Sequence, residues 1–246
     1  MKIGRQTVID YCNRRKNEVC SVQASNANNH IHLKRVKDGL SGTGTTTRYW
    51  DCCKATCSWE GNTGSTNVIA SCAADGTTVI DDNTQSGCVD GGTAYMCNNQ
   101  QPLVINETLS YGFAAASFDG AVDLSACCAC VVFTFQDDDL ANKQMVVQIT
   151  NTGTDALDGN QFDIQIPGGG VGLNTLGCST QWGTDVSGWG EQYGGVDTKD
   201  DCSALPIDLQ PGCQWRFDWM LGDSNPRSNS SRSNVPARLL QSVAVR

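Results

Sequence analysis

Six segments of the chain alternate apolar and polar positions or are rich in β-branched and aromatic residues: "TTTRYWDC" (45–52), "TLSYGFAAASF" (108–118), "CACVVFTFQ" (128–136), "KQMVVQITNT" (143–152), "QFDIQIP" (161–167) and "CQWRFDWML" (213–221). A period of two puts successive side chains on opposite faces of a strand, so each segment predicts a β-strand. Gly, Asn, Asp and Ser clusters separate them, and no stretch carries a long stripe of helical period. Six short strands joined by long loops predict a small closed barrel rather than an open α/β sheet. Trp215 and Trp219, in the segment read as the sixth strand, are expected to be core.

The flanks differ from this body. Residues 1–44 are polar and basic, end in the turn-rich "SGTGTTT", and are expected to be a poorly ordered extension. The amino terminus has no continuous apolar h-region of the kind a secretory signal carries. After Pro226 the chain runs into "RSNSSRSNVPARLLQSVAVR", which has no acid, cysteine or aromatic residue. One principal domain is therefore expected over 45–226, followed by a divergent tail over 227–246.

Composition narrows the setting. Fourteen cysteines among 246 residues are far more than a reduced compartment supports, and predict a cross-linked extracellular protein. The net charge of −9 hides a strong asymmetry, because residues 41–226 hold five basic and 23 acidic side chains. Such a body repels phosphate, which argues against nucleic acid and anionic membranes as partners. No apolar run approaches the roughly 20 residues needed to cross a bilayer as a helix.

The candidate chemistry is set by what is scarce. The two histidines, His30 and His32, both lie in the amino-terminal extension, so a Ser-His-Asp or Cys-His mechanism lacks its base. "CCAC" (127–130) is better read as disulfide anchors than as metal ligands, and "IPGGGVG" (166–172) as a tight turn rather than a phosphate loop. No metal or cofactor is expected. Acid and base work then falls to carboxylates. Most sit in solvated runs such as "DDD" (137–139), but Asp51 and Asp163 each follow an aromatic residue in a predicted strand. Neighbouring rings strip water from a carboxylate and alter its proton affinity. Two carboxylates in different environments are what glycosidic hydrolysis requires. Tyr49, Trp50, Trp59, Trp182 and Trp189 supply aromatic faces on which sugar rings can stack.

Over 45–226 the chain resembles the glycoside hydrolase family 45 endoglucanases. The resemblance is carried by "TTTRYWDCCKATCSW", "SGCVDGGTAYMC", "YGFAAASF", "CCACVVFTF", "KQMVVQITNTG", "NQFDIQIPGGGVG", "QYGG" and "PGCQWRFDW". It implies a six-stranded double-psi β-barrel with long disulfide-rich loops. It also implies a secreted, monomeric enzyme that cuts internal β-1,4 bonds of cellulose and cello-oligosaccharides with inversion. By the same resemblance Asp51 is the general base, Asp163 the general acid and Asp155 an assisting loop carboxylate, with Asp158 the fallback. Tyr49, Trp59, Thr47, Lys54 and Gln161 are carried over as groove residues, Gln161 standing where the family usually has histidine. The implied disulfides are Cys52–Cys178, Cys53–Cys88, Cys57–Cys127, Cys72–Cys97 and Cys202–Cys213, which leaves Cys12, Cys20, Cys128 and Cys130 over. The family's further cysteine segment after "DSNP" is replaced by the divergent tail, which is expected to reflect a shifted reading frame or a wrongly assigned gene end. The rival function is a non-hydrolytic, expansin-like wall-loosening or carbohydrate-binding protein. Those relatives lack the base, so Asp51 in "TRYWDCC" favours the enzyme.

Overall fold

The computed structural model describes residues 23–24, 31–32, 41–63, 68–118, 122–152, 160–223, 225 and 227–232. Two short strands, β1 (Gln23–Ala24) and β2 (Ile31–His32), pair antiparallel with each other. The main sheet contains β3 (Ser41–Tyr49), β4 (Leu103–Asn106), β5 (Leu109–Ser117), β6 (Cys130–Phe135), β7 (Gln144–Thr152), β8 (Asn160–Gln165) and β9 (Arg227–Arg232). Its order is β4-β5-β7-β6-β9-β3-β8, and β8 also pairs with β5. That last pairing closes β5, β7, β6, β9, β3 and β8 into a six-stranded barrel, with β4 appended to β5 as an edge. Two of the pairs, β3·β8 and β5·β7, are parallel and the others antiparallel.

The barrel is filled by the apolar half of the alternating strands. Phe133, Met145, Val147, Ile149, Phe162 and Ile164 are fully buried in one cluster with Trp215 and Trp219. At about 1.5–3 kcal/mol per fully buried large apolar side chain, this cluster is the main source of stability. Phe162 packs on Phe133 with ring centroids 4.7 Å apart and meets Phe118 edge-on at 5.7 Å.

The segment expected to be the sixth strand is a helix. Three helices are described: α1 (Glu60–Thr63), α2 (Leu176–Trp182) and α3 (Gln210–Asp218), and α3 takes in most of "CQWRFDWML". Trp215 and Trp219 are buried as expected, but through i,i+4 spacing on one helical face, which alternation in a strand also satisfies. Their rings stack 5.3 Å apart at 15°. Pro211 opens the helix, and the indole N–H groups donate to Ser110 Oγ at 2.8 Å and to the Asn106 carbonyl at 3.0 Å. The sixth barrel strand is instead β9, drawn from the divergent segment after Pro226. It lies between β3 and β6, pairing Thr43 with Asn229 and Phe133 with Ser230. The barrel thus reaches past the expected 45–226 limits at both ends, beginning at Ser41.

Five disulfides between described residues pin the loops: Cys52–Cys178, Cys53–Cys88, Cys57–Cys127, Cys72–Cys97 and Cys202–Cys213. Each joins the partners named above. Cys128 and Cys130, left over in the family pairing, are disulfide-bonded as well. Cys12 and Cys20 lie outside the described residues. No described helix is long and apolar enough to cross a membrane.

Candidate active site

The site grows from the parallel pair β3·β8. Its register sets Thr45 beside Gln161, Thr47 beside Asp163 and Tyr49 beside Gln165. In a parallel pair, residues in register share a face, so these six side chains form one polar patch. The alternate residues Phe162 and Ile164 point into the core. A single amphipathic strand therefore serves both the barrel interior and the patch.

Within it, Asp163 Oδ1 accepts hydrogen bonds from the Thr47 hydroxyl and from Gln161 Nε2, the latter at 2.8 Å. Its second oxygen, Oδ2, has no partner among the described residues. Gln161 thus supplies a neutral N–H donor to the carboxylate, while its own Oε1 is buried without a partner among the described residues.

Tyr49 is the hinge of the arrangement. Its hydroxyl accepts from Gln165 Nε2 at 3.0 Å and from Asn151 Nδ2 at 3.3 Å. Burial pushes the phenol's pKa well up, and the negative charges of Asp51 and Asp163 push it further, against the lowering effect of the two amides. One ring therefore feels both carboxylates. Asn151 sits at the end of β7, where the β5·β7 register slips between Ala114 and Ala115. Its Oδ1 also accepts from the Thr56 N–H at 3.0 Å and from the Thr56 hydroxyl, so the irregularity ties Tyr49 to the turn at Thr56–Ser58.

Asp51 lies two residues beyond the end of β3, and is only 3% exposed. The strand is extended by backbone bonds from Trp50 N–H to the Gly170 carbonyl at 2.7 Å and from Ile166 N–H to the Tyr49 carbonyl at 3.0 Å. Cys52 then takes a left-handed φ of 63°, unusual for a residue with a side chain. Its disulfide to Cys178 and the adjacent Cys53–Cys88 bond pin this turn on both sides. The carboxylate is held from two directions: Oδ1 accepts from the Cys53 N–H at 2.9 Å, and Oδ2 from Asn174 Nδ2 at 2.8 Å. Burial raises its pKa, and these two donors oppose the rise by favouring the anion.

Lys54 and Trp59 form a separate unit. The Lys54 ammonium stands 3.3 Å over the centre of the Trp59 ring. It also donates to the carbonyl oxygens of Asp82 and, at 3.0 Å, Thr84. Lys54 is buried, which lowers its pKa, with Asp82 and Asp81 acting in the opposite direction. It therefore covers one face of Trp59. Asp155 and Asp158 lie outside the described residues. No group of three or more His, Cys, Asp or Glu side chains fit to hold a metal occurs among the described residues.

Sequence reasoning missed Asn174, Asn151 and Gln165, the three amides that hold Asp51 and Tyr49. Gln165 had a signal: it follows Asp163 at i+2 and so shares its face.

A closed, disulfide-laced barrel with two carboxylates in contrasting environments around one tyrosine has the makings of a glycoside hydrolase. Residues 43–246 match the model of glycosyl hydrolase family 45. An endoglucanase of Cryptopygus antarcticus is 48% identical over 207 residues, covering 84% of this chain and 90% of the relative. An endoglucanase of Phaedon cochleariae is 50% identical over 207 residues, covering 83% and 84%. The crystal structure of the cellulase from the Antarctic springtail Cryptopygus antarcticus superposes with a TM-score of 0.75 at 48% identity, over 80% of this chain and 93% of that one. The chain belongs to glycosyl hydrolase family 45, and its barrel is the double-psi barrel that the resemblance implied. It is an endoglucanase.

Proposed function

We propose that the protein is a secreted, monomeric endo-β-1,4-glucanase that hydrolyses internal bonds of cellulose and cello-oligosaccharides with inversion. Asp51 acts as general base and Asp163 as general acid, with Asp155 assisting. The observation that carries this reading is the β3·β8 register, which sets Asp163 beside Thr47 and puts Tyr49, two residues from Asp51, on the same strand. The glucan chain then passes between two groups of different character. Asp51, whose anion accepts from Cys53 N–H and Asn174 against the burial that raises its pKa, takes a proton from water as the water oxygen attacks the anomeric carbon. Asp163 gives its proton to the departing glycosidic oxygen from Oδ2, while Thr47 and Gln161 fix Oδ1. The C–O bond to the leaving sugar breaks as the bond to water forms on the opposite face, so the β-linkage yields an α-anomer. For such a displacement the carboxyl groups stand about 6.5–9.5 Å apart, which leaves room for the water.

Tyr49 and Trp59 offer ring faces to the sugars, and Lys54 fixes the Trp59 platform from behind. The disulfide network supports secretion into an oxidising medium.

The test is release of reducing ends from carboxymethylcellulose, with the first-formed anomer followed by proton NMR. Asp51→Asn and Asp163→Asn are each expected to lower the rate by roughly 10²–10⁴-fold. Cellulose binding without any new reducing ends would replace this reading with the expansin-like one, and a β-anomer formed first would refute inversion.

A further inference from the structure

Two of the tryptophans with faces suited to sugar, Trp182 and Trp189, take no part in the site around Asp51 and Asp163. The fold brings them into one cleft of about 460 Å³, which Thr184, Asp185 and Ser187 also line. A volume of that size is within the range of small-molecule sites. Both rings are partly buried against the cluster of Trp50, Cys52 and Cys178, so their positions are fixed before any ligand arrives. The indole N–H of Trp182 is buried and has no hydrogen-bond partner among the described residues. A buried donor without an acceptor is costly and uncommon. Two tryptophans, hydroxyls and one carboxylate lining one cleft are what a pyranose recognises: the rings meet its C–H faces, and the polar groups its hydroxyls.

The cleft is also tied to the catalytic base. Trp182 ends α2, and Cys178, one turn earlier, is bonded to Cys52 beside Asp51. Asn174, just before the same helix, donates to Asp51 itself. Helix α2 is seven residues long, so a rise of about 10 Å separates its two ends.

We infer that the Trp182–Trp189 cleft is a remote subsite that takes a glucosyl unit of the same β-glucan chain held at Asp51 and Asp163. This rests on the β-glucan reading above. The subsite adds affinity for long chains and is not used by short ones.

The experiment titrates the full chain carrying Asp51→Asn, so that no substrate is consumed, with cello-oligosaccharides of increasing length in a calorimeter. Affinity is expected to step up at the length that reaches the cleft. Adding Trp189→Ala should abolish the step, weakening long oligosaccharides by about tenfold while leaving short ones unchanged. Trp189→Phe, which keeps a ring and the packing, should retain most of it. Short oligosaccharides binding normally, with long ones equally tight in the Trp189→Ala and unaltered clefts, overturns the subsite alone. Tighter binding of long chains that survives in both Trp189→Ala and Asp185→Ala variants assigns the step elsewhere and overturns it too. Failure of every oligosaccharide to bind overturns the β-glucan reading together with the subsite.

Discussion

Asn174 offers the most direct test of how the base is tuned. Asp51 is almost wholly buried, and burial raises its pKa; the Cys53 N–H at 2.9 Å, Asn174 Nδ2 at 2.8 Å and, more weakly, its own backbone N–H favour its charged form. Asn174→Ala removes the second donor and leaves the first, because Cys53 contributes a backbone group. A hydrogen bond to a charged group is worth roughly 1.5–3 kcal/mol, and one pH unit corresponds to about 1.36 kcal/mol. The pKa of Asp51 should therefore rise by a further one to two units or so. Since the base acts as the anion, the acidic limb of kcat/KM against pH should move to higher pH by that amount, with the plateau largely kept. A water molecule entering the vacated space would bring the shift to the lower end. The assay is reducing-end release from carboxymethylcellulose across the acidic and neutral range, with circular dichroism to verify folding. An acidic limb that stays put, or moves to lower pH, refutes the assignment of Asn174 as a support for the anion.

Gly177→Ala should cripple the enzyme through Asp51, because a Cβ there would lie 2.2 Å from the Asp51 carbonyl oxygen and 2.5 Å from Cys88 Sγ; steady-state kinetics should show turnover slowed by about tenfold or more, equivalent to about 1.4 kcal/mol in the barrier. Trp215→Ala should cost about 3–5 kcal/mol in urea unfolding, since it opens the core and leaves Ser110 Oγ without its indole donor. Asp51→Asn should be relatively more stable than the parent as pH rises. The folded pKa of Asp51 is raised above its unfolded value, so the parent keeps this stability below the unfolded pKa and loses it as pH climbs through the folded one, whereas the amide does not titrate. Melting temperatures whose difference is constant with pH would contradict that. Thr47→Val should slow turnover by about tenfold, by freeing Asp163 to rotate, with little change in substrate affinity.

Five of the six barrel strands were legible, β5, β6 and β7 as short apolar, β-branched or aromatic runs buried on both faces, and β8 because a strand with a core on one side and a polar patch on the other must alternate. "QFDIQ" shows this most plainly, with Phe162 and Ile164 inward and Gln161, Asp163 and Gln165 on the patch. Alternation failed at 213–221, where tryptophans four apart fit a strand and a helix equally well and only Pro211 spoke for the helix. β9 was illegible for the opposite reason. "RSNSSR" has no apolar residue, and its place in the sheet comes from backbone pairing with β3 and β6. Such pairing needs no particular side chain, so it leaves no mark on the hydrophobic pattern. In the site, the titrating groups stood out through their chemistry, but the neutral amides Asn174 and Asn151 did not. Asparagine is common in loops for local turn reasons, and its role here exists only once Asp51 and Tyr49 are brought to it.

The position of β9 also governs the order in which the molecule can be built. Ser41 pairs with Ser231 and Phe135 with Ser228, so the gap between β3 and β6 is filled by a stretch that leaves the ribosome long after both of its neighbours. Until it arrives, β3 and β6 each keep an unpaired edge, open to association with other chains. Contacts of such sequence separation slow folding, because the chain's freedom must be surrendered before the pairing repays it. The half-built barrel must wait for its missing stave, and covalent cross-links such as Cys57–Cys127 and Cys72–Cys97, whose partners emerge early, are placed to hold the loops together during that delay.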